Sequence, residues 1–99
     1  MSYTAAYSAI DKEEKNLTAL AQKIWEHPET AYDEVNACEW IAEALKGYGF
    51  EVEVGYVGLP TAIKATWGKG HPIIGILGEY DALPGMSQKV CTHKDPVVP

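Results

Sequence analysis

Hydrophobic positions along this chain change period several times, and each change marks an element. From Asp11 onward Leu17, Leu20, Ala21 and Ile24 recur at helical spacing, with Asp11 and Glu14 placed like a capping residue and its partner. A helix over 11–27 is predicted, stopped at His27 because Pro28 disfavours helical geometry in the residue before it. Thr30 or Asp33 then starts a second helix, 33–46, whose buried stripe is Val35, Cys38, Ile41, Ala42 and Leu45; Gly47, followed by Gly49, supplies its stop. Phe50-Glu51-Val52-Glu53-Val54 alternates strictly, which predicts a strand over 50–56 with one wet face, suited to a sheet edge. Gly58-Leu59-Pro60 turns the chain into a second strand, 61–67, with Ile63, Ala65 and Trp67 on one face and Lys64 and Thr66 on the other.

The pattern then loses its alternation. Ile73-Ile74-Gly75-Ile76-Leu77-Gly78 is an apolar run that ends in Glu79-Tyr80-Asp81-Ala82-Leu83-Pro84. Such a run suits a strand covered on both faces, here 72–79, and ligand sites of open α/β sheets lie outside the carboxyl ends of such strands. Glu79 and Asp81 are therefore the first acids to consider for chemistry. The short Gly68-Lys69-Gly70 turn favours antiparallel neighbours by local rules. Residues 85–99 have no periodicity and are read as a loop.

Composition narrows the function classes. Ninety-nine residues with 46% hydrophobic content make one unit with a small core. A net charge of -6 argues against nucleic-acid or anionic-membrane partners, whose phosphates want a basic surface. Met1 to Ile10 has neither a basic nor a long apolar segment, and no run approaches the length of a membrane span, so a cytoplasmic location is expected. Cys38 and Cys91 give no paired spacing and are expected as reduced thiols.

Two segments carry a resemblance. Gly78-Glu79-Tyr80-Asp81-Ala82-Leu83-Pro84 resembles the first active-site motif of the co-catalytic-metal amidohydrolases and carboxypeptidases, in particular the aminobenzoyl-glutamate hydrolase type. Ile24-Trp25-Glu26-His27-Pro28-Glu29, with Glu34 following, is similar to the His-Pro-Glu signature that opens the catalytic domain of the same branch. The resemblance runs from about Leu17 to Gln88. It implies an α/β fold, the N-terminal part of a three-layer zinc-exopeptidase-like domain with two helices followed by three strands of a mixed sheet, in which a later strand can lie between two of these. It further implies a full-length enzyme that uses two divalent ions, zinc or manganese, to hydrolyse a small-molecule amide such as an N-acyl amino acid, aminobenzoyl-glutamate or a dipeptide. A homo-oligomer formed through a lid or dimerisation domain absent from residues 1–99 is implied as well.

In many members the motif is His-x-Asp: the histidine binds metal and the aspartate two residues later orients it. Here Glu79 stands in the histidine's place, a weak ligand candidate, and Asp81 in the aspartate's, so the resemblance makes Asp81 the residue that orients a metal ligand. Tyr80 and Leu83 are expected to pack or line the cleft wall, His27 to meet the last carbonyls of its helix, and His71 to be exposed. Cys91-Thr92-His93 has the Cys-x-His spacing of a later metal motif, but it follows Pro84 too soon, and both residues are read as loop residues ahead of that motif. With the remaining ligands missing, the chain is expected to hold no metal and to show no hydrolase activity alone. A complete, non-catalytic α/β binding module, with Glu79 and Asp81 as turn acids, is the competing expectation.

Overall fold

A computed structural model describes residues 3–98. Two helices precede a two-stranded antiparallel sheet, in the order α1 (Thr4–Glu26), α2 (Val35–Gly47), β1 (Glu51–Val54) and β2 (Ile63–Thr66). The chain is α/β, as the periodicities require.

Helix α1 begins seven residues before the predicted start at 11, its first turn closed by the Tyr7 amide on the Tyr3 carbonyl at 3.0 Å. Thr4 to Ile10 hold two adjacent alanines and no glycine or proline, so nothing interrupts the helix upstream of Asp11. Asp11 lies inside the helix rather than capping it, which corrects the capping pattern read from Asp11 and Glu14. None of α1's residues is fully buried. Glu13 ties its middle to the end of α2 by accepting the Tyr48 hydroxyl at 2.8 Å and the Asn16 amide at 3.0 Å, and both bonds lower its pKa.

The core lies under α2, where Ala37, Cys38 and Ala42 are the buried hydrophobic residues. Ile41 and Leu45 are half-buried, but Val35 is 63% exposed, which shortens the predicted stripe at its first turn. Gly47 is the last helical residue, and the reversal falls at Gly49, whose φ of +92° is a left-handed geometry that side chains resist. Helix α2 packs on both strands, and α1 packs on α2.

Both predicted strands form and pair directly, with Val52 opposite Ala65 and Glu53 opposite Lys64. Ile63 and Ala65 are half-buried, while Trp67, expected on the same face, is mostly exposed. The third predicted strand is absent: residues 72–79 have no regular structure, and Ile73, Ile74, Ile76 and Leu77 are 79% to 95% exposed. An isolated apolar strand needs partners on its edges and faces, and the two paired strands supply neither here. Residues 85–98 are irregular, as predicted for the loop, and Pro99 lies outside the described residues. No helix among the described residues is long and apolar enough to cross a membrane.

Gly49 tests this account of the α2 terminus. An added Cβ meets nothing nearer than Trp67 Nε1 at 4.0 Å, so the cost of Gly49→Ala is backbone strain, about 1–2 kcal/mol. A urea unfolding curve for that variant is expected to show a lower midpoint with an unchanged slope.

Candidate functional site

The two segments that carry the family resemblance meet in space. Helix α1 ends at His27, whose Nδ1 lies 2.8 Å from the Lys23 carbonyl and whose ring stands edge-on to Trp40 of α2 at 5.2 Å. The Lys23 ammonium sits 4.3 Å from the same Trp40 ring. His27 therefore terminates a helix and braces it against its neighbour, as its position before Pro28 predicts.

Glu29, two residues on, makes the connection. Its carboxylate accepts the backbone amides of Asn36 at 3.0 Å and Ala37 at 2.8 Å, groups of the first turn of α2 that have no partner within the helix. These amides, Asn36 first, hold the Glu29 carboxyl below its ordinary pKa of 4.5. The Glu29 carbonyl accepts the Ala82 amide at 2.7 Å, and Thr30 and Ala82 form a parallel bridge. One residue thus caps α2 with its side chain and binds the Glu79–Pro84 segment with its main chain. Sequence reasoning gave Glu29 no such role, because the cap comes from seven and eight residues upstream rather than from the adjacent position where capping patterns are sought.

Tyr80 is anchored on the other side of Asp81. Its hydroxyl donates to the Thr61 carbonyl, and the Thr61 hydroxyl donates to Glu34 Oε1 at 3.4 Å. Burial, with Cys38 and then Glu34 nearby, pushes the Tyr80 pKa up to about 12. Asp81 stands between this inward tyrosine and the bridged Ala82, and its own side chain is exposed, as is that of Glu79. An exposed carboxylate whose backbone is fixed on both sides can accept a hydrogen bond from an incoming N–H without reordering the chain. Leu83 is 67% exposed and does not pack as expected, whereas Tyr80 does. His71 is exposed.

A second grouping lies in the loop beyond. Cys91, His93 and Asp95 place one ligand atom each within 4.8 Å of the others, and among the described residues neither Glu79 nor Asp81 belongs to such a cluster. Sequence reasoning read Cys91 and His93 as separate loop residues and missed Asp95; the alternate spacing of 91, 93 and 95 was the available signal.

Comparison with known proteins gives this geometry a context. Over 92 residues the chain is 41% identical to a p-aminobenzoyl-glutamate hydrolase of Escherichia coli, a match covering 92% of this chain and 19% of that protein. The chain is homologous to a segment of the amidohydrolase and carboxypeptidase family. Thermostable carboxypeptidase 1 of Saccharolobus solfataricus is 42% identical over 67 residues, 66% of this chain and 17% of that protein. Human Xaa-Arg dipeptidase is 34% identical over 98 residues, 85% of this chain and 22% of the dipeptidase. The segment therefore spans about a fifth of the length of these relatives. No family model matches the chain.

Glu29 supplies the test of this arrangement. Because its folded pKa lies below the ordinary 4.5, the cap's contribution to stability is present above that value and is lost as pH falls through the lowered one. Glu13 acts in the same direction, so Glu29→Gln is expected to reduce, without abolishing, the loss of stability on acidification. Urea midpoints measured from neutral pH down through the carboxylate range check this; an unchanged acid limb contradicts it.

Proposed function

We propose that this chain is part of a metal-dependent amidohydrolase that cleaves the amide bond of a small N-acyl amino acid, aminobenzoyl-glutamate or dipeptide substrate. The observation that carries the reading is the Glu29–Ala82 junction. It joins the His-Pro-Glu segment to the Glu79–Pro84 segment and leaves Asp81 exposed beyond a fixed backbone. The hydrolase names of the relatives support the reaction class.

In this reading Asp81 accepts the ring N–H of a metal-binding imidazole contributed by another part of the enzyme, fixing its orientation and raising its basicity. Two divalent ions, zinc or manganese, would supply the Lewis acidity and the activated water of such a hydrolysis. The described residues of this chain do not assemble that pair of sites, since Glu79 and Asp81 stand outside any cluster of three ligating groups. The segment is therefore inactive alone in this reading, and its contribution is the placement of Asp81.

The same reading gives the exposed Ile73–Leu77 run a role. Contiguous apolar surface marks an interaction site, and the matched segment makes up 19% of the Escherichia coli relative. The run is then a strand of the longer enzyme, covered by polypeptide outside residues 1–99 and delivering Glu79 and Asp81 to the sheet's end. The cytoplasmic location and the homo-oligomer belong to this proposal too.

The test is Asp81→Ala in the full-length protein, assayed on p-aminobenzoyl-glutamate and on N-acyl amino acids. Turnover or metal affinity is expected to fall roughly 10- to 100-fold, with circular dichroism unchanged, because Asp81 is exposed. Turnover and metal content at the unsubstituted level contradict the role of Asp81.

A further inference from the structure

The loop after Pro84 is closed by its own side chains. Gln88 is the hub: its Oε1 accepts the Asp95 amide at 3.1 Å, and its Nε2 donates to the His93 carbonyl at 2.7 Å and to Cys91 Sγ at 3.3 Å. The Lys89 amide donates to the Asp95 carbonyl at 2.9 Å, and the Cys91 amide to the Lys89 carbonyl at 2.9 Å. Cys91 Sγ also lies 3.3 Å from the His93 carbonyl. Trp25 of α1 holds the ring from outside by donating its indole N–H to the Gln88 carbonyl at 3.0 Å. Main-chain and amide bonds therefore fix the positions of residues 91, 93 and 95 before any ligand arrives.

We propose that Cys91, His93 and Asp95 form a binding site for one zinc ion. A thiolate, an imidazole and a carboxylate are the three donor types that zinc accepts, and three protein ligands leave a fourth position for water. Ligand atoms around a tetrahedral zinc lie roughly 3.4–3.6 Å apart when the bonds are about 2.0–2.3 Å long. His93 Nε2 and Asp95 Oδ2 are 4.0 Å apart, and all three donor atoms lie within 4.8 Å of one another, so small side-chain rotations close the site. The His93 side chain is 73% exposed, which leaves it free to rotate and gives the ion a path in.

The surroundings suit a metal-bound thiolate. Gln88 Nε2 points a donor at Cys91 Sγ, an outer contact that stabilises the sulfur once it is deprotonated. Asp95 divides its two oxygens: Oδ1 pairs with the Lys89 ammonium at 3.0 Å, while Oδ2 faces His93. Binding exchanges the Cys91 S–H bond for an S–Zn bond and releases that proton to solvent, with no change of oxidation state. The site is separate from Glu79 and Asp81, and it does not rest on the amidohydrolase reading. It revises the expectation, drawn from the early position of Cys91-Thr92-His93, that residues 1–99 hold no metal.

The experiment is a zinc titration of the 99-residue chain against a competing chelator, with thiol alkylation followed in parallel. One zinc per chain is expected, together with protection of Cys91 from alkylation; Cys38 is buried in α2 and serves as the internal reference. Cys91→Ser, His93→Ala and Asp95→Asn are each expected to weaken zinc binding by at least the roughly 10- to 100-fold seen on losing an outer hydrogen-bond partner, and Gln88→Ala by about 10-fold. Cobalt(II) in place of zinc should show a thiolate charge-transfer band that Cys91→Ser abolishes. The substitutions lie outside both helices, so far-UV circular dichroism reports independently that the fold is intact. Failure to retain zinc overturns the proposal. So does retention that depends on Cys91 while ignoring His93 and Asp95, which is binding by a thiol alone.

Discussion

Glu29 is held at both ends, and the arrangement of the chain follows from that. Helix α2 begins with amides that have no helical partner, and its N-terminus is positively polarised. A carboxylate from the preceding turn answers both needs by accepting the Asn36 and Ala37 amides. Once the side chain is fixed there, the main chain of Glu29 and Thr30 is fixed as well, and it becomes the edge on which Ala82 docks. Pro28 sets this up by ending α1 just before it, so that the chain is extended where the carboxylate and the carbonyl must point apart. The His-Pro-Glu order thus reads as a sequence of mechanical tasks: stop the helix, extend, then cap the next helix and hold the acidic segment.

The acidic segment is organised by alternation. Tyr80 turns inward to Thr61 and the Cys38 side of α2, Ala82 bonds to Glu29, and Asp81 between them faces solvent. Neither contact involves the Asp81 carboxylate, so its hydrogen-bonding capacity is kept for something outside this segment. That division between residues that anchor and one that is presented is the physical link between this fold and the amidohydrolase reading.

What could be read from the sequence was what local forces decide. The 3.6-residue period of Leu17, Leu20, Ala21 and Ile24 and the alternation of Glu51 to Val54 each marked an element that forms. His27 behaved as a residue before proline at a helix end should. The first seven residues of α1 escaped because that stretch buries nothing and so leaves no apolar stripe to detect. The strand expected at 72–79 failed for the opposite reason: its pattern is strong, but strand formation depends on neighbours, and the two strands present pair with each other. Asp81 was legible by resemblance, whereas the contacts that hold it, from Glu29 far upstream and from Thr61, are non-local and leave no periodic trace.

The most direct measurement is amide hydrogen exchange at Ala82, read residue by residue by NMR in the unsubstituted chain and in Glu29→Ala. Protection of the Ala82 amide above that of its neighbours Asp81 and Leu83, with loss of protection at both Ala37 and Ala82 when the carboxylate is removed, is the predicted result. An Ala82 amide that exchanges as fast as its neighbours, or one that is protected but indifferent to Glu29→Ala, would contradict the claim that this single residue joins the two segments.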